Sequence, residues 1–160
     1  LLSIVDASAA HQATSAGVGA SIQVSLGGTR DPGRFEPLVV TADVISLWDG
    51  HFTYESGTDE TAGTTAVLRV QDVDILVTER SVYVVGRNVY TAHGLEPTDY
   101  DVVVAKSPNG FRTHYESIAA SIVAVDVPGS TSANLHSLPY KRVSRPIFPL
   151  DADATCAYFD

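Results

Sequence analysis

The sequence predicts an α/β fold with α+β character: a mixed β-sheet with antiparallel hairpins in the first half and a βαβ unit in the second. Three patterns carry this. Apolar and polar residues alternate from Ala20 to Leu26, as in a strand with one buried face. Two β-rich runs, 65–70 and 73–78, flank the polar pair Gln71-Asp72. Finally, the unbroken apolar run Val102-Val103-Val104-Ala105 reads as a strand covered on both faces, and a helix signal and a further β run at 122–125 follow it.

Taken in order, Asp6 is suited to N-cap and Gly17 to close a short helix that carries Ala9, Ala13 and Ala16 on one face. The alternating strand comes next. Gly27 to Pro37 collects three glycines and two prolines and reads as a surface loop. Leu38 to Trp48 runs into Asp49-Gly50, a pair that favours a tight hairpin turn, with His51 to Tyr54 expected to return antiparallel. Glu55 to Thr64 is polar and reads as loop before the second β pair. A helix is expected over Val85 to His93, stopped by Gly94 with Pro97 beyond.

In the second half, Ser107 can cap and Pro108 can open a helix that places Phe111, Tyr115 and Ile118 on one face. With strands at 102–105 and 122–125, that helix completes a βαβ crossover. Leu138 to Leu150, with Pro139, Pro146 and Pro149 among Tyr140, Ile147 and Phe148, reads as an extended segment held by its apolar residues.

Composition bounds the function. A chain of 160 residues that is 44% hydrophobic can bury one core, so a single domain over 1–160 is expected. It contains no methionine, which suggests an internal or processed segment. The opening residues lack the basic start and apolar block of a signal peptide, and no run reaches membrane-spanning length, so a cytoplasmic protein with no membrane partner is expected. Cys156 is the only cysteine, so neither an internal disulfide nor a cysteine zinc site can form. Nineteen acidic residues against ten basic give a net charge of −9, which argues against nucleic acid as a partner and is otherwise the mark of a soluble surface.

The local candidate for chemistry is Lys106-Ser107-Pro108-Asn109-Gly110-Phe111-Arg112, where a predicted buried strand gives way to a helix. Open α/β sheets place ligands at such a junction. Lys106, Ser107, Asn109, Gly110 and Arg112 are therefore the expected substrate-binding residues, with free N–H groups and two cations suited to a carboxylate, phosphate or developing oxyanion. A capped helix with solvated basic ends is the plainer alternative. Ser107 lacks a nucleophile elbow and fits a capping role better than a catalytic one. His11, His51, His93, His114 and His136 stand far apart without a metal signature, and neither Gly17-Val18-Gly19 nor Gly27-Gly28 has a nucleotide-binding context.

Together, Ala16-Gly17-Val18-Gly19-Ala20, Leu26-Gly27-Gly28, the Lys106–Arg112 string and Arg145-Pro146-Ile147-Phe148-Pro149-Leu150-Asp151 resemble the C-terminal domain of the MlrC (microcystinase C) family. The likeness runs through almost the whole chain in the family's order. It implies one part of a zinc-dependent hydrolase of the metallopeptidase sort, whose best-known members act on linearised microcystin peptides. By this resemblance, zinc is bound by an N-terminal domain absent from this chain, which would be its partner. The substrate would be a peptide or amide, and this domain would form one wall of a cleft between the two, with the Lys106 to Arg112 loop facing the metal. A drift to another amide or ester substrate is a third reading, since a shared fold fixes neither substrate nor reaction. The alternative is a non-catalytic module for dimerisation or interdomain contact, with self-association through the hairpins and the 140–150 segment.

Overall fold

The computed structural model describes residues 1–160 except 31, 34, 108, 128–133 and 155–160. Pro108, Cys156 and part of the 27–37 loop thus lie outside the described residues. In chain order the strands are β1 (Leu2–Val5), β2 (Ser21–Leu26), β3 (Leu38–Trp48), β4 (His51–Thr53), β5 (Asp59–Thr61), β6 (Thr65–Val70) and β7 (Val73–Thr78); the helices are α1 (Ala7–Ala16), α2 (Asn88–Thr91) and α3 (Arg112–Tyr115). Two compact units divide the chain, 1–119 and 120–160.

In the first unit a five-stranded sheet has the order β1-β7-β6-β3-β2, and β4 and β5 form a separate antiparallel pair. β1 runs parallel to β7 while the other neighbours are antiparallel, so the sheet is mixed, as expected. Apolar layers cover both of its faces. Ala9, Ala10 and Ala13 of α1 lie with Val24, Leu26, Val44, Ala66, Leu68 and Val77 in one cluster. Val67 and Leu76 belong to a second cluster with Phe52, Ala62, Val89, Tyr90 and Leu95. The central strands β6 and β7 are buried on both faces, and alanines let the helix backbone approach closely. Ala10, rather than Ala16, joins Ala9 and Ala13 in the buried stripe.

Asp6 is the N-cap of α1, as the sequence suggests: one carboxylate oxygen accepts from Ala9 N–H at 3.1 Å and the other from Gly27 N–H at 3.0 Å. Because Asp6 is only 2% exposed, this bond fixes the helix start to the end of β2 inside the protein. The β6–β7 hairpin also forms as read, with Val70 opposite Val73 and Gln71 in the left-handed region at φ 53°. The stop of the second helix is a Schellman arrangement. Leu95 N–H donates to Tyr90 O and Gly94 N–H donates to Thr91 O, with Gly94 at φ 76°. That helix is nonetheless four residues long rather than nine.

Asp49-Gly50 is not a hairpin turn. β3 pairs with β2 and β6 and leaves no ladder for β4, which pairs with β5 instead. Gly50, at φ 76°, packs so closely on the neighbouring backbone that an added Cβ would lie 2.0 Å from Gly63 O, and the chain turns there into the small sheet. The polar stretch read as loop supplies β5, since three-residue strands carry little periodicity.

Parallel pairing in the second half survives at a single point. The Leu1 amino group donates to Val102 O at 2.8 Å and Val104 N–H donates to Leu1 O at 2.9 Å, one parallel bridge at the β1 edge. Val102 is 68% exposed, so the run is an edge and not a central strand. The helix expected from 107 starts at Arg112, with Phe111 at the N-cap and no side-chain cap.

In the second unit, residues 121–127 have no regular structure, so no strand forms at 122–125. Here the end of the Pro-rich segment is a closed turn rather than an extended strip. Arg145 pairs with the Asp151 carboxylate, Ile147 N–H donates to the same carboxylate at 2.7 Å, and Asp151 N–H donates to Ile147 O at 2.9 Å. The Phe148 side chain is 78% exposed, so it does not hold the segment by burial.

Candidate functional site

The Lys106–Arg112 segment runs along the first unit beside a small cleft. Gly110 is the point of contact: a Cβ there would lie 2.8 Å from Val85 Cγ1, 3.2 Å from Ser107 Oγ and 3.7 Å from the Tyr83 hydroxyl. The loop can run this close only with glycine at that position. Lys106 and Asn109 are exposed, and Lys106 has no ion-pair partner among the described residues. Arg112 is engaged, its guanidinium 3.5 Å from Glu116 and stacked over the Phe111 ring at 5.3 Å. With α3 reduced to four residues, the dipole and free N–H groups expected at a long helix start are not assembled here. Of the expected binding groups, Lys106 is the cation left free to meet a ligand.

The cleft, of about 260 Å³, is lined by Tyr54, Glu55, Ser56, Tyr83, Val85, Gly86 and His114. Glu55 organises it. Its carboxylate accepts from Arg87 N–H at 2.6 Å and Asn88 N–H at 2.8 Å, and lies 4.0 Å from His114 Nδ1. Burial pushes its pKa up, but the Asn88 and Arg87 amides and His114 outweigh burial and hold it below the usual carboxylate value. Tyr54 accepts the Tyr83 N–H at 2.7 Å, and Tyr115 donates to Gly86 O at 3.1 Å. Glu55 lies in a polar stretch that reads as loop and His114 belongs to no metal signature, so neither carries a sequence signal for this cleft.

A larger cleft, about 400 Å³, opens at the carboxyl ends of β1 and β7 and is lined by Val5, Asp6, Ala7, Thr29, Arg30, Glu79, Arg80 and Ser81. Glu79 accepts from Thr64 N–H at 2.8 Å and lies 3.5 Å from His11 Nε2, which together hold its carboxyl below the usual value. The third histidine with a defined environment, His93, is 2% exposed; burial lowers its pKa and keeps it neutral, with Nδ1–H donating to Val89 O. Among the described residues, no three His, Cys, Asp or Glu side chains come together as a metal-binding group. No described helix is long and apolar enough to cross a membrane.

No curated protein matches the chain. Among solved structures, it is similar to a protein from Mesorhizobium sp. BNC1 that carries a provisional metallopeptidase assignment, with a TM-score of 0.79 and 28% identity. That likeness covers 97% of this chain and 32% of the other, so the chain spans about a third of its relative's length. The family model described as MlrC C-terminus matches residues 1–142 and leaves the Arg145–Asp151 string beyond its end. The chain therefore belongs to the MlrC C-terminal domain family.

Proposed function

We propose that this chain is the C-terminal domain of a zinc-dependent hydrolase of the microcystinase C type, cleaving peptide or amide bonds, and that it forms one wall of an active site completed by an N-terminal domain. The family match carries the reading, supported by the likeness to one third of a longer protein with a provisional metallopeptidase assignment. The side chains here do not fit a zinc ion, since no three potential ligands converge among the described residues. The family resemblance assigns the zinc ligands to an N-terminal domain, which would be the partner of this one. Bound zinc would polarise the scissile carbonyl and supply the attacking hydroxide.

This domain's contribution is binding and orientation. Lys106 would hold a substrate carboxylate, and the backbone at Ser107, Asn109 and Gly110 would face the substrate beside it, with Arg112 setting the local field. Residues 1–160 are read together as one domain of the whole protein, which is expected in the cytoplasm. Zinc analysis and peptide hydrolysis assays on the full protein test the proposal. About one zinc per chain with hydrolysis lost on chelation supports it; full hydrolysis by metal-free protein contradicts it.

A further inference from the structure

We infer that the cleft at the carboxyl ends of β1 and β7 is a second binding site, distinct from the Lys106 loop, and that it takes a small carboxylate of amino-acid size through Arg30 and Arg80. Position is the first support. β1 and β7 are parallel neighbours, and ligands of parallel strands gather beyond their carboxyl ends. The cleft volume of about 400 Å³ falls within the range of small-molecule pockets.

Charge is the second support. The whole chain has ten basic residues against nineteen acidic ones, yet two arginines line this cleft. Neither guanidinium has an ion-pair or hydrogen-bond partner among the described residues. The two acids beside them are already occupied: Asp6 accepts the Ala9 and Gly27 amides, and Glu79 accepts the Thr64 amide. The cations are therefore the groups open to a ligand, and a guanidinium fork matches a carboxylate.

Glu79 narrows the ligand class. As a carboxylate within the lining, it disfavours a phosphate dianion, so a singly charged carboxylate fits better than inorganic phosphate. The hydroxyls of Thr29 and Ser81, also in the lining, can complete the carboxylate's hydrogen bonds. This inference does not depend on the hydrolase reading, because none of the residues it uses belongs to the Lys106 loop.

The test is isothermal titration calorimetry of the full protein with L-alanine, N-acetyl-L-alanine, L-alaninamide and inorganic phosphate. The expected result is binding of the two carboxylates and not of the amide, with phosphate weaker than either. Arg30→Gln and Arg80→Gln should each weaken carboxylate binding at least about tenfold while thermal melts stay unchanged, because both side chains are exposed. Loss of carboxylate binding in the two arginine variants, with Lys106 intact in both, separates this site from the other candidate. No carboxylate binding, binding indifferent to both arginine variants, or a preference for phosphate would each overturn the inference.

Discussion

The carboxylate of Glu55 accepts the backbone N–H of Asn88 at 2.8 Å, so a side chain from the connection between β4 and β5 caps the first turn of α2, thirty-three residues further along the chain. Arg87 N–H reaches the same oxygen at 2.6 Å, and a Cβ on Gly86 would lie 2.2 Å from it. The small sheet, the approach to α2 and the cleft beside the Lys106 loop therefore meet at one carboxylate.

Glu55→Gln keeps the shape but removes the charge that these amides recognise. It should cost about 1 kcal/mol of stability, in the range of a capping interaction at a partly exposed site. Since the folded pKa is depressed, the contribution is present above the ordinary value of 4.5 and is lost as pH falls through the folded value. Denaturant melts of wild type and variant should converge in that acid range, and a gap that stays constant with pH would contradict the assignment.

Asp74 forms a second electrostatic node: it accepts two bonds from the Arg69 guanidinium, at 2.6 and 2.8 Å, and one from the Tyr100 hydroxyl at 2.7 Å. Arg69 is the main cause of its lowered pKa. Asp74→Ala should destabilise by about 2–3 kcal/mol, since Asp74 is only 4% exposed and its partners lose a charged acceptor. Burial first, then Asp74, pushes the Tyr100 phenol up to about 12. Because the folded value is raised, its contribution is full below about pH 10 and lost as pH rises through about 12. In an absorbance titration, Tyr100→Phe should remove one late-ionising tyrosine and Asp74→Ala should move that tyrosine to lower pH without returning it to the ordinary value, because burial remains.

Gly50→Ala should be far more damaging than its chemistry suggests. The residue sits at φ 76°, and the new methyl group would meet Gly63 O at 2.0 Å, backbone against backbone. A loss of about 3 kcal/mol or more is expected, from strain and the forced separation of the two glycines. A melting temperature within a degree or two of wild type would show that this corner is not fixed as described.

These residues also mark what the sequence made legible. Asp6, the alternation in β2, the β6–β7 hairpin and the Gly94 stop were readable because each depends on residues close in sequence. Asp49-Gly50 misled because a turn-favouring pair reports backbone freedom, whereas the partner of β4 was decided by β3 already lying between β2 and β6. The run at 102–105 resembles a core strand, but double-sided burial belongs to β6 and β7, whose sequence patterns signal only a hairpin. At the candidate site the loop is legible and His114 follows it directly, while Glu55 joins His114 in the cleft only through tertiary packing over dozens of residues.

The central claim, that this domain binds substrate while the metal sits elsewhere, is tested most directly by measuring zinc content and peptide hydrolysis together on the full protein and its Lys106→Ala variant. The account predicts that the variant retains its zinc while kcat/KM for a peptide with a free carboxylate falls about tenfold or more, mostly through KM. Unchanged kcat/KM, or loss of zinc along with activity, would contradict it.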